Sequence, residues 1–423
     1  MPAAEAARPI SLARSKDLFE TLAFHAHVAL AVSGGSDSVA LMWLAARWAK
    51  AVPHAAKISV LTVDHGLRPE AVRECATVAD WAKALGLEAH ILTSMGEKPE
   101  SGLQAKAREM RYGLMRDWCR AQGATLLVTA HTLEDQAETV LMRLARGSGI
   151  KGLSGMRPDE RGDVLLERPL LGTSRAALRA TLQAAGHPWI DDPSNEDERF
   201  ERVRLRKAAP VLGALGLKPE AIARSAARLE RALIPLEEMA RDFMARHVEV
   251  RREGFAIVDL TPFRKLDDEI AIHALERLLL HLGGGSEPPR LMAVEALQAW
   301  LRRGESQVRT LAGCRIARRT RHLLIGREAG RISPEPVAIA PGQNILWDNR
   351  FTVSIGSTDH PCAIVPVRTL RLARQRDLPA FVQESLPAIL TQGEFAAVPS
   401  LGIVGKAAPP GFRPLVEFQK IGL

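Results

Sequence analysis

Residues 33–38 read SGGSDS, a glycine pair between hydroxyls with a carboxylate, Asp37, set inside the run. Gly34 and Gly35 admit backbone angles that other residues avoid, so successive amides can turn toward one anion. Ser33, Ser36 and Ser38 add hydroxyl donors, and a helix beginning there adds a partial positive charge. The chemistry these residues support is phosphate binding. The turn is not the common phosphate loop, GxxxxGKS or GxxxxGKT, because it has no lysine and contains an acid. A carboxylate beside phosphates repels them unless a divalent cation lies between, so Asp37 is expected to help hold magnesium.

Two further groups of residues could do chemistry. His131 and Asp135 stand four apart and share a face if a helix begins near 131. Asp64, His65 and Arg68 close an apolar run, "ISVLTVDHGLR". Arginine is clustered as well. Between 301 and 331 nine arginines, among them Arg315, Arg318, Arg319 and Arg321, face only two glutamates. A shorter run at 199–207, "RFERVRLRK", carries Arg202 and Arg206. Such clusters suit a polyanion, whose condensed counterions are released on contact, although a single charge run is usually a solvated face.

The elements that must position these groups follow from the apolar pattern. Strand-like segments at 27–33, 58–64, 87–93 and 125–131 alternate with helix-like segments at 39–50, 70–85, 104–121 and 133–146. This alternation predicts a doubly wound α/β domain with a parallel sheet, whose ligand sits beyond the carboxyl ends of the strands. Residues 33–38, 64–68 and 131–135 all fall at that edge. From about 219 the chain turns helical, with an interruption expected at Pro235. A second helical stretch ends at the glycines 283–285. Residues 307–328 read as a hairpin or meander, and the remainder is proline-dotted and short-stranded. The expected division is a catalytic domain at 1–215, a helical and basic domain at 216–330, and a small α+β module at 331–423.

At 423 residues, 46% hydrophobic and 25% charged, the chain is globular and too long for one ordinary core. No apolar run reaches the roughly eighteen residues of a membrane helix, and the first twenty residues lack a signal-peptide core. Cys75, Cys119, Cys314 and Cys362 lie far apart with no CxxC, which argues against structural zinc or a disulfide framework. A cytoplasmic protein is expected.

A strand running into SGGSDS and then a helix resembles the PP-loop of the ATP-pyrophosphatases, which cleave ATP to AMP and pyrophosphate. The segments "TVDHGLRPE" (62–70), "LQAKAREMRY" (103–112), "AHTLEDQAETVLMRLARGSGIKGLSGM" (130–156), "RPLL" (168–171) and "WIDDPSNEDERFERVRLR" (189–206) follow in order. Together they resemble the tRNA(Ile)-lysidine synthetase family across 25–210. The resemblance implies that ATP, with Mg2+, adenylates the C2 carbonyl oxygen of the wobble cytidine in an isoleucine tRNA with a CAU anticodon. Free L-lysine then displaces AMP to leave lysidine. It implies ATP binding by Ser33, Gly34, Gly35, Ser36, Asp37 and Ser38, and nucleotide or active-site lining by Asp64, His65 and Arg68. It places His131 and Asp135 in the active site, as metal or phosphate contacts or proton handlers, with Arg108 and Arg111 toward phosphate or the lysine carboxylate. Arg143 falls in a glycine-rich loop that could close over substrate, and the basic runs would grip tRNA.

The chain departs from the family pattern at Thr132, where a second histidine is frequent, and at Gln104 and Val203. Two other functions compete. A PP-loop tRNA thiolation enzyme would need cysteine pairs, which Cys75 and Cys119 do not form. A non-catalytic basic tRNA-binding protein would have no reason to keep SGGSDS intact.

Overall fold

In the computed structural model, residues 7–53, 55–64, 66, 70–93, 103–158, 163–191, 198–285, 287–304, 307–356 and 358–419 are described, with 103–108 by backbone alone. The chain divides into two compact units, Met1–Arg231 and Ala232–Leu423.

The first unit begins with helix α1 (Leu12–Leu18) and then alternates as the apolar pattern requires. Strand β1 (His27–Ala31) leads to α2 (Ser36–Ala51), β2 (Lys57–Asp64) to α3 (Glu70–Ala84), and β3 (Glu88–Thr93) to α4 (Leu103–Gln122). Next come β4 (Leu126–Val128), α5 (Leu133–Ala145), the single turn α6 (Ile150–Leu153), β5 (Leu165–Glu167), α7 (Arg175–Ala184) and α8 (Glu201–Ala214). The strands form one parallel sheet in the order β3-β2-β1-β4-β5. Successive strand residues face opposite ways, and both faces are covered. Val28, Leu30 and Val60 pack with Leu41, Leu44, Val78 and Leu178 from α2, α3 and α7. Ala29, Leu61 and Leu127 pack with Met115 and Cys119 of α4. The order reverses between β1 and β4, so the turn after β1 and the segment after β4 flank the crevice at the carboxyl edge.

Helix α9 (Pro219–His247) runs unbroken through Pro235, contrary to the expected interruption. Proline in a helix interior costs about 3 kcal/mol. Burial of Leu233, Phe243 and Met244 on one face, at roughly 1.5–3 kcal/mol each, exceeds that cost.

The second unit continues with β6 (Val248–Arg251), β7 (Phe255–Asp259), α10 (Leu260–Phe263), α11 (Asp268–Leu282), α12 (Leu291–Arg303), β8 (Val308–Leu311), β9 (Cys314–Arg318) and β10 (His322–Arg327). Its first antiparallel sheet has the order β6-β7-β10-β9-β8, and the expected meander is β8-β9-β10. Leu275, Leu279, Trp300, Ile316 and Leu323 share its core. Helix α11 stops at Gly283, where a Cβ would stand 2.0 Å from the Ala312 carbonyl oxygen. A separate core around Trp347, Phe351, Ile364 and Ile389 lies among the short antiparallel strands from 337 to 418. Among the described residues no helix is long and apolar enough to cross a membrane.

Candidate active site

The turn after β1 is fixed by its own side chains. Val32 N donates to Leu61 O at 2.9 Å, which carries the sheet register one residue beyond β1. Ser38 Oγ accepts from Ser33 N at 3.1 Å and donates to Gly35 O at 2.9 Å, closing the loop across its base. Gly34 takes φ +92°, and a Cβ there would come within 2.9 Å of Ile190 Cδ1. Gly35 is the N-cap of α2 and supplies no side-chain cap. The first-turn amides of α2 therefore keep their capacity for an anion. Asp37 is in that first turn, partly buried. Burial raises its pKa; Arg175 opposes the shift, while Asp135 and Glu134 add to it.

Beyond β4, Thr129 Oγ1 lies 2.9 Å from His131 Nδ1, and Thr132 begins α5. Thr132 and Asp135 form a capping box: Asp135 Oδ2 accepts from Thr132 N and from Thr132 Oγ1, both at 3.0 Å. Thr132 thus has a local role, anchoring one oxygen of Asp135. The other oxygen, Oδ1, pairs with Arg175 and lies 3.5 Å from Arg206 Nη2. Burial pushes the Asp135 carboxyl up, but Arg175, the Thr132 amide, His131 and the Thr132 hydroxyl outweigh it and hold the pKa down.

Arg175 binds these parts together, and the sequence reading overlooked it. Ser174 caps α7, so Arg175 opens that helix, and its amide donates to Glu134 Oε2 at 3.0 Å. Its guanidinium reaches Asp37 Oδ2 (Nε, 3.4 Å), Asp135 Oδ1 (Nη2) and Glu138 Oε1 (Nη1, 3.1 Å). Burial disfavours the cation, yet Asp135, Glu138, Asp37 and Glu134 together raise its pKa. Glu134 and Glu138 were overlooked as well, although they stand four apart on α5; the helix begins at Leu133, so His131 precedes it rather than sharing its face. Glu138 also accepts from Arg206 Nε of α8 at 2.9 Å, and Arg202 Nη2 lies 3.4 Å from Thr139 Oγ1.

The other expected residues are distributed as follows. Asp64 ends β2, is buried, and accepts from Gly66 N at 2.8 Å. His65 and Arg68 lie outside the described residues, and so does the side chain of Arg108 on α4. Arg111 is half-buried on α4, 5.8 Å from the ring centre of Tyr112. Arg143 donates to the carbonyls of Gly152 (2.9 Å) and Gly155 (2.6 Å), so its guanidinium fastens the glycine-rich turn. In the second unit, Arg315, Arg319 and Arg321 are exposed, and Arg318 is half-buried and donates to Gly304 O.

Magnesium prefers one or two carboxylates with phosphate and water oxygens completing its shell. Asp37 and Asp135 converge on a single guanidinium, so two hard oxygen donors are within reach of one cation. Among the described residues no group of three or more His, Cys, Asp or Glu is gathered to hold a metal unaided. The donor set fits an ion that arrives with phosphates.

The PP-loop domain family matches residues 9–212. A tRNA(Ile)-lysidine synthase of Bradyrhizobium diazoefficiens is 44% identical over 301 residues, covering 69% of this chain and 83% of its own. One from Bradyrhizobium sp. BTAi1 is 42% identical over 350 residues, 78% of this chain and 95% of its own. That of Wolbachia pipientis wMel is 32% identical over 396 residues, 90% of each chain.

Proposed function

Because the chain belongs to the tRNA(Ile)-lysidine synthase family, we infer that the amine it joins to tRNA is free L-lysine and that the acceptor is the wobble cytidine of a CAU anticodon. The protein is a carbon–nitrogen ligase that uses ATP through its PP-loop domain to form lysidine on tRNA(Ile). The observation that supports the chemistry best is the lysine-free glycine turn, whose uncapped helix start lies beside Asp37 and Asp135.

The reaction divides into two displacements. The C2 carbonyl oxygen of cytidine attacks the α-phosphorus of ATP; the new O–P bond forms as the bond to pyrophosphate breaks. Lysine Nζ then attacks C2, the C2–O bond breaks, AMP leaves with that oxygen, and the amine gives up a proton. A pyrimidine carbonyl oxygen leaves poorly until it is esterified, which is why ATP is consumed. The α2 amides and Ser33–Ser38 would hold the triphosphate. Asp37 and Asp135 would hold magnesium, which would supply neutralisation of phosphate charge. His131, Arg108, Arg111, Asp64, His65 and Arg68 are assigned to the nucleotide and substrate surroundings. Arg202 and Arg206 are assigned to the same crevice, because both reach α5. Arg315, Arg319 and Arg321 are assigned to the tRNA backbone on the ground of their exposure.

Thiolation is disfavoured. The four cysteines are buried and unpaired, and burial raises each thiol, Cys119 to about 11 and Cys314 to about 12, away from the reactive thiolate. Unpaired cysteines also suit the cytoplasm, where the reaction is assigned. The test is the fate of ATP during turnover with lysine and tRNA(Ile). AMP and pyrophosphate are expected; ADP and orthophosphate would overturn the proposal.

A further inference from the structure

Arg175 occupies the point where the carboxylates of two elements meet. Its three guanidinium nitrogens each serve a different acid: Nη2 Asp135, Nη1 Glu138 at 3.1 Å, and Nε Asp37 at 3.4 Å. The contact with Asp37 is the longest and sits at the edge of hydrogen-bond range. The backbone beneath is pinned. Ser174 caps α7, the Arg175 amide donates to Glu134, and Leu133 N donates to Thr173 O at 3.0 Å. Any exchange at this point is therefore a movement of the side chain. Asp37 and Asp135 are also the two carboxylates assigned above to magnesium, so an ion and the guanidinium would compete for Asp37 Oδ2 and Asp135 Oδ1. Two cations on the same oxygens repel one another, and the repulsion is strong where water is scarce.

We propose that Arg175 is a cationic placeholder: it neutralises Asp37, Asp135 and Glu138 in the nucleotide-free chain and yields Asp37 when a divalent cation arrives with the triphosphate. The proposal rests on the metal-site reading above and deepens it. Phosphate oxygens brought in by ATP offer the guanidinium a new acceptor, so exchange costs little once nucleotide is present. Without nucleotide, a bare ion must displace Arg175 with nothing to receive it. Metal therefore loads as a complex with ATP, and idle coordination of the carboxylates is suppressed. Arg175 is on this account a positioning residue.

The test is manganese(II) binding to the whole 423-residue chain, read from the loss of the free-ion electron paramagnetic resonance signal. Without nucleotide, Arg175→Gln should bind Mn2+ at least tenfold more tightly than wild type. Arg206→Gln removes a cation that touches Asp135 and Glu138 but not Asp37, and should change the affinity less than threefold. Arg175→Lys should fall between wild type and Arg175→Gln. With α,β-methylene-ATP, the wild type should gain Mn2+ affinity and close most of the gap. If wild type holds Mn2+ with the nucleotide analogue while Arg175→Gln gains nothing without it, the placeholder is wrong and the metal site stands. If wild type holds no Mn2+ even with the analogue, the metal site fails and the placeholder fails with it. Equal gains in Arg175→Gln and Arg206→Gln would reduce the effect to general charge removal and overturn the proposal. Thermal melting covers a variant that folds poorly. Mn2+ should raise the midpoint of Arg175→Gln more than that of wild type, and a variant that stays unfolded with Mn2+ would mark Arg175 as purely structural.

Discussion

The amide of Ile190 donates to the carbonyl of Gly34 across 2.9 Å, and the Ile190 side chain occupies the space a Cβ on residue 34 would need. The segment after α7 thus braces the phosphate turn from outside. Gly34→Ala meets both that contact and a left-handed backbone, whose cost for an ordinary residue is about 1–2 kcal/mol. We expect ATP affinity to fall at least tenfold, equivalent to about 1.4 kcal/mol. Equilibrium binding of labelled ATP checks this, and unchanged affinity would mean that the turn does not cradle the nucleotide.

Thr132 carries two jobs, the N-cap of α5 and the anchor of Asp135 Oδ2. Thr132→Ala should cost about 1 kcal/mol of stability, as cap removal usually does. Because Asp135 loses a partner, kcat/KM should fall beyond what the lost stability explains. Thr132→Ser keeps the hydroxyl and should restore most of both. Denaturant midpoints and steady-state rates on the three proteins separate positioning from folding.

His281 on α11 gives the second unit a pH signature. Burial lowers its pKa; a backbone hydrogen bond with Gln419 opposes the shift, and Arg277 and Arg350 add to it. The unfolded chain takes up a proton near pH 6.5 that the folded chain resists. Stability contributed by the neutral ring is therefore complete above about 6.5 and declines as pH falls below it. Melting midpoints should drop between pH 7.5 and 5.5, and His281→Gln should lessen that drop.

Arg318 and its neighbours should behave differently. Arg318 is tied to Gly304 O, whereas Arg319 and Arg321 are exposed. Replacing Arg319 and Arg321 by alanine should reduce the salt slope of tRNA binding by about 1 per residue if each meets a phosphate. Arg318→Ala should instead lower the melting midpoint. A slope that stays constant in the double variant would remove this face from the tRNA contact.

Much of the catalytic unit is legible in the sequence because its signals are local. SGGSDS states a turn and a helix start, and the apolar runs state the strands, of which the inner β1 and β4 are buried and the edge strand β3 is not. Arg175 is different. It follows an ordinary Ser N-cap, and its meaning comes from Asp135, forty residues away in sequence. Glu134 and Glu138 had a signal, their four-residue spacing on one face of α5, but charged residues on a helix ordinarily face water. Arg143 gains a second meaning that the sequence does not carry: its guanidinium donates to the loop's own carbonyls, at Gly152 and Gly155. At Pro235 the local cost is visible in sequence, whereas the burial of Phe243 and Met244 that outweighs it is not.

The most direct measurement is transfer of radiolabelled lysine to isoleucine tRNA bearing a CAU anticodon, with ATP and magnesium, followed by digestion to nucleosides. Label in a single modified cytidine, matched one to one by AMP, is the predicted result. Unlabelled nucleosides, with ATP left whole or cleaved to ADP, would contradict it.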